Sequence, residues 1–171
     1  FNGEIYNYLE LKDHLIGKNY IFKTNSDTEV LIKLYDCYGE NIFPYLEGMW
    51  AFAIFDKKTK KIILSRDRFG EKPLQILKKN HGIFFGSETK FIESLSSQYE
   101  QPNDIKAKHF LSFGYNSLFL NDQTFKKNVM SLKPSNYMKI DSNLNISVKE
   151  YWKLGENIKE VNIKEKDASK N

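Results

Sequence analysis

Apolar side chains recur at helical spacing in the first forty residues and at strand spacing after that. Over residues 6–16 they fall at Tyr8, Leu11, Leu15 and Ile16 with charges between. That spacing predicts a helix, and Gly17 stands where a left-handed residue often closes one. Residues 20–23 form a short strand candidate. A second helix is predicted over 27–38, with Val30, Leu31, Leu34 and Tyr38 as its stripe and Gly39 as its stop. Ser26 and Glu29 have the Ser-x-x-Glu spacing of a capping box. Residues 41–46 predict a short irregular helix broken around Pro44.

The pattern then turns to β. Residues 49–55 are continuously apolar, as in a strand covered on both faces. Residues 56–61 are a polar turn and 62–65 the returning strand. Residues 74–78 and 82–86 predict a hairpin turning at His81. Residues 88–95 predict a helix with Phe91, Ile92 and Leu95 inward, and 104–113 another capped by Asn103. Strands are expected over 130–132, 137–140 and 146–151. Helices first and strands later suit an α+β domain better than a parallel βαβ sheet.

Composition narrows the picture. The chain has 171 residues, 40% hydrophobic and 15% aromatic, with net charge +4 from 26 basic and 22 acidic side chains. That is one globular domain with a substantial core. The lysines are scattered, which fits a solvated surface and no nucleic-acid partner. No apolar run approaches the roughly 18 residues of a membrane span. One cysteine, Cys37, fits a reducing, cytoplasmic compartment and reads as a packed helix residue. No His/Cys pairs stand at metal spacing, and His109 has no evident partner.

Two stretches carry candidate chemistry. Asn2-Gly3 favours a tight turn and offers two donors on adjacent residues, a carboxamide and a backbone N–H. Two donors aimed at one point can form an oxyanion hole. Asp27 would occupy the first turn of the second helix, free to face a ligand's ammonium. The plainer readings are a loop turn and a carboxylate placed for the helix dipole.

The wording of the whole stretch selects between them. Phe1-Asn-Gly-Glu-Ile-Tyr-Asn7, Ser26-Asp-Thr-Glu-Val30, Glu47-Gly-Met-Trp-Ala-Phe-Ala-Ile-Phe-Asp56, Arg66-Asp-Arg-Phe-Gly-Glu-Lys-Pro-Leu74 and Phe84-Phe-Gly-Ser-Glu-Thr-Lys90 occur in that order. This closely resembles the class II glutamine amidotransferase domain of glutamine-hydrolysing asparagine synthetases. The resemblance covers residues 1–95 motif by motif and 96–154 more loosely. The glutamate and tyrosine after Asn-Gly favour those enzymes over relatives feeding a sugar-phosphate or phosphoribosyl acceptor.

The resemblance implies an N-terminal-nucleophile hydrolase sandwich, four layers in αββα order with antiparallel sheets, incomplete at its N-terminus. It implies an amidotransferase domain over 1–154 and a linker over 155–171 towards a synthetase domain of the same polypeptide. Asn2 and Gly3 would form the oxyanion hole. Asp27 would bind the α-ammonium of glutamine, with Glu4 helping to hold that end; without the resemblance Glu4 reads as a solvated residue. The family's nucleophile is an N-terminal cysteine, expected upstream of Phe1, so residues 1–171 alone are expected to be inactive. No cofactor is expected within 1–171; ATP and magnesium are expected for the full-length enzyme. Residues 66–74 read as an exposed loop, which the resemblance suggests supports the face towards the synthetase domain. Two departures stand out: Gln75-Ile76 in place of an aromatic pair, and Ser135 where a glycine usually follows the proline. The alternatives are a non-catalytic amidotransferase-like binding or regulatory domain, or an amidotransferase feeding a sugar-phosphate or phosphoribosyl acceptor.

Overall fold

The apolar run around Trp50 forms strand β2, Gly48–Asp56, and its alternation sets the layering. Trp50, Phe52 and Ile54 face one core and Ala51 another, because successive strand residues point to opposite faces. The computed structural model describes residues 1–119 and 121–155. In it β2 joins β1 (Asn2–Ile5), β3 (Lys61–Arg66), β7 (Asn136–Ile140) and β8 (Ile146–Glu150). They form one antiparallel sheet of order β1-β2-β3-β7-β8. A second antiparallel sheet, β5-β4-β6, holds β4 (Gln75–Lys79), β5 (Gly82–Gly86) and β6 (Val129–Ser131).

Three cores separate four layers. The largest joins the first sheet to α1 (Tyr8–Ile16) and α2 (Asp27–Tyr38), where Leu11, Leu15, Val30, Leu31 and Leu34 meet Trp50 and Phe52. The second lies between the sheets and holds Ala51, Leu64, Ile76, Leu132 and Met138. The third packs Leu77 and Val129 against Ile92 of α3 (Thr89–Ser96). Neighbours such as Ile63 and Leu64, or Ile76 and Leu77, therefore belong to different cores. Each fully buried large aliphatic or aromatic side chain contributes about 1.5–3 kcal/mol. The order helix, sheet, sheet, helix is the expected αββα sandwich. A fourth helix, α4 (Asp104–Phe113), is capped as expected by Asn103, whose Oδ1 accepts from Lys106 N at 3.2 Å.

Local departures have local causes. Residues 20–23 form no strand: Lys23 N–H goes to the Glu29 carboxylate at 3.0 Å and Tyr20 N–H to Leu15 O at 3.0 Å. Gly17 is right-handed (φ −60), and Asn19 (φ 66) is the left-handed residue after α1. Ile16 is exposed. Phe91 and Leu95 of α3 point outward, and Ile92 and Ser96 are its buried side chains. A helix this short covers a narrow three-stranded sheet with a single stripe. On β2 cover on both faces holds for Trp50, Ala51 and Phe52 but ends at Ala53, and Phe55 is 59% exposed. Of the expected linker, residues 156–171 lie outside the described residues.

The loop at 66–74 keeps Phe69, Glu71 and Pro73 exposed, as expected, but it is built around a buried polar knot at Asp67. Asp67 is 1% exposed. Its carboxylate accepts backbone N–H groups of Trp50 (3.3 Å), Phe69 (3.0 Å), Glu71 (3.0 Å) and Lys72 (3.0 Å). Its own N–H donates to Trp50 O, and its carbonyl accepts from Ser135 N, both at 2.9 Å. The Arg66 guanidinium donates to the carbonyls of Lys72, Leu132 and Gly70 at 2.7, 2.8 and 2.6 Å; burial pulls its pKa below the ordinary arginine value. Ser135 holds the left-handed conformation (φ 60) that a glycine would adopt freely. In return its hydroxyl donates to Arg68 O at 2.9 Å.

Asp67→Ala strips an acceptor from four buried or half-buried N–H groups. It is expected to cost about 3 kcal/mol or more. Glu150→Ala, which removes only an exposed ion pair with Lys153, is expected to cost less than about 1 kcal/mol. Urea denaturation of both variants checks this; equal midpoints would contradict it.

Candidate active site

Asn2 and Gly3 lie in strand β1 and not in a turn. Gly3 pairs with Trp50 at φ +144, and a Cβ there would sit 2.1 Å from Met49 O and 2.7 Å from Trp50 Cα. Gly48, across the same ladder, has φ +140, and its Cβ would meet Glu4 O at 2.1 Å. Two missing side chains thus let the β1 and β2 backbones close on each other. β1 is the edge of its sheet. In an antiparallel ladder alternate residues direct their N–H and C=O to opposite sides. Tyr6 N donates inward to Glu47 O at 2.7 Å, and Ile5 N donates outward to Asp27 Oδ2 at 3.1 Å. Gly3 has the parity of Ile5, so its N–H faces the open edge.

Asp27 reaches that edge because α2 begins beside it. Ser26 caps the helix, but its hydroxyl accepts from Thr28 N at 3.2 Å and not from Glu29 N. The reciprocal half of the capping box is also absent. Glu29 reaches further back, to Thr24 Oγ1 (2.7 Å), Thr24 N (2.8 Å) and Lys23 N (3.0 Å). These bonds, the Thr24 hydroxyl foremost, hold its pKa down at about 2. They also fix the segment leading into Asp27. The second oxygen of Asp27 has only a long contact with Thr28 Oγ1, 3.4 Å.

Asn2 and Glu4 share the other parity and the other face of β1. The Asn2 carboxamide donates from Nδ2 to Ser87 Oγ at 3.3 Å. Ser87 follows the last residue of β5, so this bond links the two sheets. Both residues line a cavity of about 290 Å³ with Ala51, Leu74 and Phe85. Glu4 is exposed, and its side chain makes no hydrogen bond among the described residues. The structure therefore places the Gly3 N–H and Asp27 on the open edge of β1 and turns the Asn2 and Glu4 side chains to the neighbouring face of the same strand. Sequence reasoning missed Ser87, although it stands inside the Phe84–Lys90 motif; no pattern pairs a residue with one 85 positions away. Cys37 is half-buried on α2 against the helical core, as its spacing predicted. No helix among the described residues is long and apolar enough to cross a membrane.

The sheets and layers are those of the αββα sandwich of N-terminal-nucleophile amidotransferases. A glutamine phosphoribosylpyrophosphate amidotransferase from B. subtilis superposes with a TM-score of 0.61 at 22% identity, over 88% of this chain and 28% of that one. An allosteric regulatory enzyme of purine biosynthesis does so equally, over 88% and 27%. The chain belongs to the glutamine amidotransferase domain family, whose pattern it matches over residues 1–152. It is 35% identical over 165 residues to asparagine synthetase [glutamine-hydrolyzing] 1 of Bacillus subtilis, covering 96% of this chain and 25% of that protein. To asparagine synthetase 2 of the same organism it is 37% identical over 163 residues, covering 90% and 21%. It is thus a glutamine amidotransferase domain homologous to those of glutamine-hydrolysing asparagine synthetases, and spans about a quarter of the length of these relatives.

Glu29 ties pH to the order of the Asp27 segment. Its folded pKa of about 2 lies below the ordinary 4.5. Its stabilising contribution is therefore full above 4.5 and is lost as pH falls towards 2. The melting temperatures of the natural chain and Glu29→Gln are expected to differ near neutrality and converge in that acid window. A gap that widens with acid would refute this.

Proposed function

We propose that this chain is the glutamine-hydrolysing part of an asparagine synthetase. The observation that carries the reading is the edge of β1, where the Gly3 N–H points to the side on which Asp27 accepts the Ile5 N–H, two residues or about 6.6 Å further along the strand. A free amino acid with an amide-bearing side chain would lie along that edge. Its α-ammonium would meet the open oxygen of Asp27, helped by Glu4. Its amide oxygen would meet Gly3 N–H and Asn2 Nδ2. When a nucleophile adds to the amide carbon, the carbonyl oxygen becomes an oxyanion, and these donors stabilise it. Losing one such donor typically costs about 2.7–4 kcal/mol of barrier stabilisation. Ammonia leaves, water releases glutamate, and the nucleophile is regenerated.

We place the nucleophile outside residues 1–171, on a cysteine at the N-terminus of the parent polypeptide, because Cys37 is packed on α2 away from the edge. Its α-amine, titrating near 8, can carry the proton. Ammonia would then serve ATP- and magnesium-dependent amidation of aspartate in a synthetase domain of the same polypeptide, in the cytoplasm.

Asp27→Asn keeps an acceptor for Ile5 N–H but removes the charge. In the full-length protein it is expected to raise the KM for glutamine at least about ten-fold, the order of one lost charge-assisted contact. Hydrolysis with ammonia as product is the assay, and unchanged glutamine kinetics would reject the role. The parent reading frame supplies the companion test: it should begin Met-Cys and continue into an adenylating domain.

A further inference from the structure

We infer that Ser87 is a positioning residue for Asn2, turning the donor end of the carboxamide, and not its oxygen, towards the edge of β1. This rests on the glutamine-hydrolysis reading above. A carboxamide has two N–H donors at one end and an acceptor oxygen at the other. Rotation by about 180° exchanges them at almost no steric cost. Only the donor end can serve an oxyanion. The Ser87 hydroxyl oxygen accepts one N–H of Asn2 at 3.3 Å. The second N–H is left for a ligand in the cavity that both residues line.

Ser87 can fix Asn2 because it is itself fixed. It directly follows Gly86, which pairs with Gln75 in the β4–β5 ladder. It precedes Glu88, the residue before α3. The Thr89 hydroxyl donates to Gln75 Oε1 at 2.6 Å, closing the segment onto β4. Gln75 stands where an aromatic residue was expected, so its amide supplies an anchor that an aromatic ring would not. A strand end on one side and a helix start on the other hold the hydroxyl in place, as a preorganised site requires.

The test is steady-state glutamine hydrolysis by the full-length protein carrying this domain. Ser87→Ala is expected to lower kcat roughly three- to ten-fold, with the KM for glutamine unchanged. In an Asn2→Ala background the same substitution should cost nothing further, since the group it positions is gone. Ser87→Thr, which keeps the hydroxyl, should restore kcat. Ser87→Cys, close in volume with a weaker acceptor, should lose kcat like alanine, so a folding defect in Ser87→Ala does not decide the matter. Full kcat in Ser87→Ala or Ser87→Cys, with Asn2→Ala slowed, would overturn the positioning role and leave the glutamine reading standing. Additive losses in the double variant would also overturn it. Wild-type hydrolysis by Asn2→Ala would overturn both.

Discussion

A single buried carboxylate, Asp67, gathers four backbone N–H groups from two separate stretches of chain, and the geometry of the first sheet follows from it. A buried anion is tolerable only when its lone pairs are filled, so those stretches must converge. Residues 69–72 fold back onto the Asp67 carboxylate just past the end of β3. Trp50 accepts the Asp67 N–H at its carbonyl and donates its own N–H to the Asp67 carboxylate on one side, and faces Gly3 on the other. Ser135, accepting its strained conformation, brings the start of β7 to the Asp67 carbonyl. The site edge thus lies one strand away from the most constrained point of the fold.

That arrangement suits chemistry at a sheet edge. Edge strands are ordinarily a liability because their outward groups are unpaired. Here one outward N–H is taken by Asp27 and the next, that of Gly3, is kept open. Glycine at this position is required twice over, by its φ and by the backbone of Met49 and Trp50. The same close approach that excludes a side chain also leaves the edge clear for a ligand. Asp27 is both a structural clasp for β1 and, through its second oxygen, a candidate ligand group.

The aromatic residues serve packing more than chemistry. Phe43, from the 3-10 helix Gly39–Tyr45, stacks on Tyr137 at 4.5 Å and Tyr151 at 4.8 Å. Burial raises the phenol pKa of Tyr151, whose hydroxyl donates to Arg66 O at 2.8 Å. The last described strands are thereby tied to the Arg66–Asp67 knot. At the surface Phe69 meets Trp152 edge-on at 5.4 Å.

The periodicity of the sequence was enough to place nearly every helix and strand, because apolar spacing of 3.6 or 2 reports which face meets a core. Five ordered motifs were enough to indicate the family, and through it Asn2, Gly3, Glu4 and Asp27. Local pattern failed where a residue's partner is distant. Asn-Gly reads as a turn until β2 supplies a strand to pair with. Ser26 and Glu29 read as a capping box until Glu29 finds better donors at Lys23 and Thr24. An Arg- and Asp-bearing stretch reads as solvated until Trp50 and Ser135 are brought to Asp67. Which face of β1 is open, and which serine touches Asn2, depend on strand order and on how two sheets stack. Those are fixed by contacts between residues tens of positions apart, so tertiary structure alone decided them.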